Sequence, residues 1–219
     1  MNIAKYIDHT LLKPEATSED ISRICKEAKQ YKFASVCVNP FNIKQVSDEL
    51  KGSNVKVCAV IGFPLGATTT QVKVSEAIDT VIDGAHEVDM VMNIGAFKGQ
   101  KYDKVLKDIK EVVLAVRNRD VKVKVIIECC LLADEEKRKA TKLIVESGAH
   151  YVKTSTGFNT GGATLNDVKI LADAASGKIK VKASGGIRDL ETAKKMIEAG
   201  ASRIGASSGV KIVKESAEQ

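Results

Sequence analysis

Tryptophan is absent from this chain, and phenylalanine and tyrosine bring the aromatic share to only 4%. A platform that stacks nucleobases needs aromatic rings among basic residues. No such stretch occurs, which excludes a single-strand nucleic-acid binder. Long apolar runs are also missing: nothing approaches the roughly 18 consecutive apolar residues of a membrane-spanning helix. The opening segment, Met-Asn-Ile-Ala-Lys-Tyr-Ile-Asp-His-Thr-Leu-Leu-Lys-Pro, holds no apolar stretch of the kind a secretory signal requires. A cytoplasmic protein with no membrane partner is the expectation. The three histidines (His9, His86 and His150) are far apart and show no HExxH pair, so no metal is expected. The five cysteines (Cys25, Cys37, Cys58, Cys129 and Cys130) form no CxxC pair, and their odd count on apolar segments fits reduced thiols. Neither a Pro/Gly/Ser-rich linker nor a low-complexity segment breaks the chain, so residues 1–219 are expected to form one domain.

Charge and alternation are what the sequence does hold. Hydrophobic residues make up 44% and charged residues 28%, with a net charge of +6. The lysines are scattered among glutamates and aspartates, which points to a solvated surface and an anionic small substrate rather than a polyanion. Strand-like runs lie at 33–38, 56–63, 87–93, 123–129, 151–157, 179–186 and 203–209, with a weaker one at Tyr6–Leu11. Helical patterns cover Ser18–Gln30, Thr70–Asp83, Tyr102–Arg117, Asp134–Ser147, Leu165–Ala175 and Leu190–Ala199. Gly84, Gly148 and Gly200 stand where glycine ends a helix. Strand and helix repeating about eight times predict parallel strands covered by helices, and the length falls near the small end of one (β/α)8 TIM barrel.

Three segments share a pattern: Gly84-Ala85-His86-Glu87-Val88-Asp89, Gly148-Ala149-His150-Tyr151-Val152-Lys153 and Gly200-Ala201-Ser202-Arg203-Ile204-Gly205. Each runs from a helix-ending glycine into a strand, the fourth, sixth and eighth by this count. Alternate strands share interior layers, so Asp89, Lys153 and Gly205 are expected at equivalent heights in one mouth. Lysine is rarely buried unless paired or functional, which makes Lys153 a candidate; the competing possibility is an amphipathic strand whose lysine reaches solvent. Lys178, Lys180 and Lys182 alternate with Ile179 and Val181 and could form one solvated face, and Lys122 and Lys124 are expected to form such a face. Against a wet face, parallel barrel strands have helices outside and packed side chains inside. An amine attacks a carbonyl only when neutral, whereas free lysine titrates at about 10.4. A second ammonium about 4 Å away supplies repulsion of the required order. Lys153 and Lys182 at one mouth would then yield an amine nucleophile, with Asp89 orienting one lysine and shuttling protons.

Gly185-Gly186 follow the seventh strand, and Gly205-Ala206-Ser207-Ser208-Gly209 follow the eighth. Loops at these positions, with a helix N-terminus, form the recurrent phosphate site of the fold. Glycines admit an anion to the backbone N–H groups, and serine hydroxyls add donors. Ser184 and Arg188 flank the first loop and could assist. Ordinary tight turns, which also favour glycine, are the alternative.

Taken in order, the motifs Ile-Asp-His-Thr-Leu-Leu-Lys-Pro (7–14), Ser-Val-Cys-Val-Asn-Pro (35–40), Val-Ile-Gly-Phe-Pro-Leu-Gly (60–66), Glu-Val-Asp-Met-Val (87–91), Val-Lys-Thr-Ser-Thr-Gly-Phe (152–158), Val-Lys-Ala-Ser-Gly-Gly-Ile-Arg (181–188) and Gly-Ala-Ser-Ser-Gly (205–209) cover almost the whole chain. This ordered set resembles the deoxyribose-phosphate aldolase family, whose members work through a lysine Schiff base. The resemblance implies reversible cleavage of 2-deoxy-D-ribose 5-phosphate to glyceraldehyde 3-phosphate and acetaldehyde, in deoxyribose catabolism, without a cofactor. It implies Lys153 as the Schiff-base lysine and Asp89 and Lys182 as a proton-transfer pair. Gly185, Gly186, Gly205, Ser207 and Ser208 match phosphate-binding positions. Asp8, Thr10 and Thr156 fall at substrate contacts, and Cys37 at a pocket wall. Some family members end in a tyrosine that reaches the site; this chain ends Lys-Ile-Val-Lys-Glu-Ser-Ala-Glu-Gln, leaving proton transfer to Asp89, Lys182 and water. Barrels of this size often associate, so a homo-oligomer, a dimer above all, is expected. Two rivals remain: another phosphate-handling barrel enzyme, such as a sugar-phosphate isomerase, an epimerase or a different Schiff-base aldolase, which has no necessary use for a lysine pair, and a non-catalytic phosphometabolite-binding barrel.

Overall fold

In a computed structural model, which describes residues 1–218, eight parallel strands close in sequence order into one barrel. The strands are β1 (Ile7–Leu11), β2 (Ser35–Val38), β3 (Lys56–Ile61), β4 (Glu87–Val91), β5 (Lys122–Ile126), β6 (Tyr151–Lys153), β7 (Lys180–Ser184) and β8 (Ala201–Ala206). The helices are α1 (Ser18–Tyr31), α2 (Ile43–Leu50), α3 (Thr70–Ile82), α4 (Ile94–Lys98), α5 (Tyr102–Val116), α6 (Asp134–Ser147), α7 (Leu165–Ala175), α8 (Leu190–Glu198) and α9 (Gly209–Ala217). Every strand-like run overlaps a strand. The 151–157 run keeps only its first three residues, because the chain turns into a loop that reaches a positive φ at Gly157. Periodicity did not reveal α2, α4 or α9. The first two are short, and α9 begins inside the Gly-Ser loop that reads as strand and turn.

Side chains alternate across each strand, and here the two faces differ in chemistry. One set (Val36, Val57, Val88, Val123, Val125, Val152, Val181 and Ile204 among others) packs outward against the apolar stripes of the helices in one continuous core. Each such residue contributes about 1.5–3 kcal/mol on burial. The inward set is mostly polar. A small apolar group, Leu12, Cys37, Cys58 and Val60, fills the β2–β3 side of the interior. The helix starts are built locally: Thr17 and Asp20 form a capping box on α1, as do Thr164 and Asp167 on α7.

This arrangement corrects the expectation for Lys124 and not for Lys122. The two do alternate on one face, but Lys124 points into the closed barrel, whereas the Lys122 ammonium reaches solvent beside the exposed Asp120. Lys122 sits half-buried at the lower rim, while Lys124 is fully buried. Lys180 and Lys182 repeat the pattern, exposed below and buried above. A polar barrel interior has the same period as a wet strand face, so alternation alone does not separate them.

Candidate active site

The inward residues of β4–β8 and β1 form one ionic cluster centred on Asp89, which is fully buried. Its Oδ2 accepts from Lys153 Nζ of β6 at 2.8 Å and from Lys182 Nζ of β7 at 2.7 Å. Its Oδ1 accepts from Lys124 Nζ of β5 at 2.7 Å and from the Cys58 thiol at 3.2 Å. Lys182 Nζ also lies 2.5 Å from Asp8 Oδ2, and Lys124 Nζ lies 2.6 Å from Glu87 Oε2. Arg203 closes the ring by binding both Asp8 and Glu87. Four basic side chains thus face three carboxylates. Lys124, Lys182 and Arg203 each touch two carboxylates, whereas Lys153 touches one. Lys153 is the surplus cation of the cluster.

The electrostatics follow from this count. Burial alone would push the Asp89 carboxyl up, but Lys124, Lys153 and Lys182 outweigh it and hold Asp89 well below the usual carboxylate range. Asp8 is lowered in the same way, burial being overcome by Lys182 and Arg203. Burial disfavours the Lys182 ammonium, yet Asp8 and Asp89 raise it above the ordinary lysine value. Lys124 is raised well above that value, with Asp89 the largest of the effects opposing burial. Asp8, Asp89, Lys124 and Lys182 therefore stay charged at neutral pH.

Above it a cleft of about 310 Å³ opens at the C-terminal ends of the strands. Lys153 lies at its base, 2% exposed. Thr156, Gly157 and Phe158 form one wall, and Ser184, Gly185 and Gly186, with Ala206 and Ser207, form another. Lys13 and Arg188 bring positive charge to the lining. Gly185 and Gly205 leave no room for a side chain. A Cβ on Gly205 would stand 2.9 Å from Ser184 Cβ and 3.2 Å from Lys182 Cε, and one on Gly185 would stand 2.9 Å from Gly162 Cα. Gly186, at φ +80°, has open space beside it.

Asp89 and Lys153, matched by the internal repeat, meet in the interior, and Gly205 borders Lys182. Thr10, Thr156, Gly185, Gly186, Gly205 and Ser207 line the cleft. Ser208 stands just beyond, as the N-terminal cap position of α9 with no capping bond from its side chain. Asp8 lies below, and both its oxygens are engaged by Lys182 and Arg203. The Thr156 hydroxyl donates to Glu128 Oε2 at 2.5 Å. Cys37 is fully buried in the apolar group with Leu12, Cys58 and Val60. Cys37, Cys58 and Asp89 have ligand atoms within 4.8 Å of one another, but Asp89 there faces three ammonium groups, which repel any added cation. Sequence reasoning missed Lys124, Glu87, Arg203 and Glu128. Glu87 and Arg203 sit at the fourth position of their repeats, two residues before Asp89 and Gly205, and that spacing was the available signal.

Residues 2–215 match the model of the DeoC/LacD family aldolases. The chain is 59% identical over 216 residues to the deoxyribose-phosphate aldolase of Clostridium tetani, covering 99% of this chain and 100% of that one. A solved structure of an aldolase, QR15, superimposes with a TM-score of 0.94 at 47% identity, covering 99% of this chain and 96% of that one. The deoxyribose phosphate aldolase of Aeropyrum pernix, whose structure is tetrameric, gives a TM-score of 0.92 at 36% identity over 98% of this chain and 91% of that one.

Proposed function

Because this chain belongs to the DeoC/LacD aldolase family, we propose that its ionic cluster drives reversible aldol cleavage of 2-deoxy-D-ribose 5-phosphate, with Lys153 as the nucleophile. One observation carries the assignment to Lys153: it alone among the four cations has a single carboxylate partner and lines the cleft. Loss of one proton brings the cluster to neutrality, and giving up the Lys153 proton breaks the fewest ionic contacts. The free amine adds to the open-chain aldehyde and, on loss of water, forms an iminium. A base takes the C3 hydroxyl proton, the C2–C3 electron pair flows into the iminium, and glyceraldehyde 3-phosphate leaves. Protonation of the enamine at C2 and hydrolysis release acetaldehyde and restore the amine. Lys182 and Asp89, joined at 2.7 Å, pass the protons through water. Gly185, Gly186, Gly205, Ser207 and Ser208, at the mouth of α9, hold the phosphate with help from Lys13 and Arg188. No cofactor takes part.

The enzyme acts in the cytoplasm, which its five free thiols support. No helix of the described residues is long and apolar enough to cross a membrane. Residues 1–219 act as one domain, of which Gln219 lies outside the described residues. The chain works as a homo-oligomer, a dimer above all, which the exposed Val72, Ile78 and Ile82 on α3 support.

Borohydride reduction in the presence of deoxyribose 5-phosphate, followed by peptide mapping, tests the mechanism. A stable adduct on Lys153 is expected. An adduct on Lys182 would exchange the lysine roles, and turnover without any lysine adduct would sink the covalent mechanism.

A further inference from the structure

Glu128 sits two residues beyond β5, at the same end of the barrel as the cleft, and is 2% exposed. Its backbone adopts φ +54°, a left-handed conformation unfavourable for a residue with a side chain. Both hydrogen bonds of its carboxylate among the described residues go to Thr156. Oε1 accepts the Thr156 N–H at 3.1 Å, and Oε2 accepts the Thr156 hydroxyl at 2.5 Å. The Thr156 hydroxyl in turn accepts the Phe158 N–H at 3.1 Å. On either side of Glu128, backbone bonds run from Ile127 N to Lys153 O and from Cys129 N to Thr154 O. The β5–β6 pairing thus continues past the end of β6, and Glu128 supplies its last link with a side chain.

The held segment matters because of what it touches. Thr156, Gly157 and Phe158 line the cleft between Lys153 and Gly185-Gly186. A Cβ on Gly185 would lie 3.7 Å from Gly157 Cα, and the Phe158 ring meets Phe63 edge-on at 5.3 Å. Thr154 and Ser155 are tied to Ser184 of β7, but at Thr156, before a glycine at φ +86°, the side-chain tie is to Glu128.

We propose that Glu128 is a positioning residue for the aldolase reaction, which acts through Thr156 to set the distance between the Schiff-base lysine and the phosphate loops, and so the length of substrate the cleft accepts. The inference rests on the assignment of Lys153 above. It differs from a purely structural role in being selective: substrates that span both ends of the cleft depend on the loop, whereas acetaldehyde, which reaches only Lys153, does not.

A double-mutant cycle with Glu128→Gln and Thr156→Val decides the question, read by kcat/KM on deoxyribose 5-phosphate and by borohydride trapping of acetaldehyde on Lys153. A glutamine amide can satisfy only one of the two Thr156 donors. The expected loss in kcat/KM is about tenfold, the usual consequence of orphaning one buried hydrogen-bonding group. It should fall mainly on KM, with acetaldehyde trapping retained. In the Thr156→Val background the same change should cost less than threefold, because the hydroxyl is already gone and the glutamine oxygen still accepts the remaining backbone N–H. Multiplicative losses, a kcat/KM within twofold of wild type for Glu128→Gln, or an equal loss in acetaldehyde trapping would each overturn the proposal. A wild-type enzyme that left no adduct on any lysine would count against the Schiff-base assignment alone, and the kinetic cycle would still decide the role of Glu128.

Discussion

Lys124 shows how much a single buried charge depends on its surroundings. It makes no contact with the cleft, yet it neutralises Asp89 Oδ1 and Glu87 Oε2 inside the barrel and lies 5.9 Å from the Tyr151 ring centre. Removing one partner of a buried ionic group leaves the others uncompensated, at about 3–5 kcal/mol. Lys124→Met should therefore lower unfolding free energy by about that much in denaturant titrations, and Glu87→Gln in the same chain should recover part of it by neutralising the carboxylate whose Oε2 has lost its cation. A loss below about 1 kcal/mol for Lys124→Met would mean that water or a rearranged Arg203 replaces it. At this scale the sequence was half legible. The repeat brought out Asp89 and Lys153, and the motifs brought out Lys182. Lys124 stayed hidden because Lys-Val-Lys-Val reads the same whether its lysines meet water or carboxylates.

Among the elements, the Gly-Ala-His repeat has a structural use that its chemistry explains. His86 and His150 immediately precede β4 and β6, and each Nδ1 accepts the backbone N–H of a residue on the preceding strand, Val57 at 3.2 Å and Val123 at 3.1 Å. Only a neutral imidazole can accept there. Burial, followed by Lys56 for His86 and Lys122 for His150, lowers both below the ordinary histidine value. The unfolded chain then takes up protons before the folded one, so their contribution is complete above about pH 6.5 and declines as pH falls towards the lowered folded values. Replacing both by asparagine, whose side-chain oxygen can accept the same N–H, should flatten stability between about pH 5 and 6.5. His9, shifted the same way and bonded to Glu27 at 2.6 Å, would leave a residual slope. An unchanged slope in the double variant would assign the whole dependence elsewhere. The strands themselves were legible because outward Val and Ile alternate with other residues. Their C-terminal limits were not, because Thr154, Ser155 and Thr156 suit a strand but are held by Ser184 and Glu128 as loop.

For the whole molecule, the exposed surface bears on association. Val72, Ile78 and Ile82 leave α3 with an apolar outer side, the last 62% exposed. Sedimentation equilibrium should show a homo-oligomer that Ile82→Glu shifts towards monomer, since a buried unpaired carboxylate opposes the contact. A wild-type monomer at micromolar concentration would discard that assembly. The sequence by itself determined the barrel, through alternating strand and helix patterns, and the aldolase chemistry, through an ordered set of motifs. Both are local signals, carried by neighbours along the chain. Only the tertiary structure decided which lysine is the surplus cation, that Asp8 and Arg203 belong to the same charge cluster, and that Glu128 ties Thr156 in place. Those facts depend on side chains brought together from different strands by barrel closure. The pairing of charges across 64 residues from Asp89 to Lys153, or 195 from Asp8 to Arg203, has no local trace in composition or period.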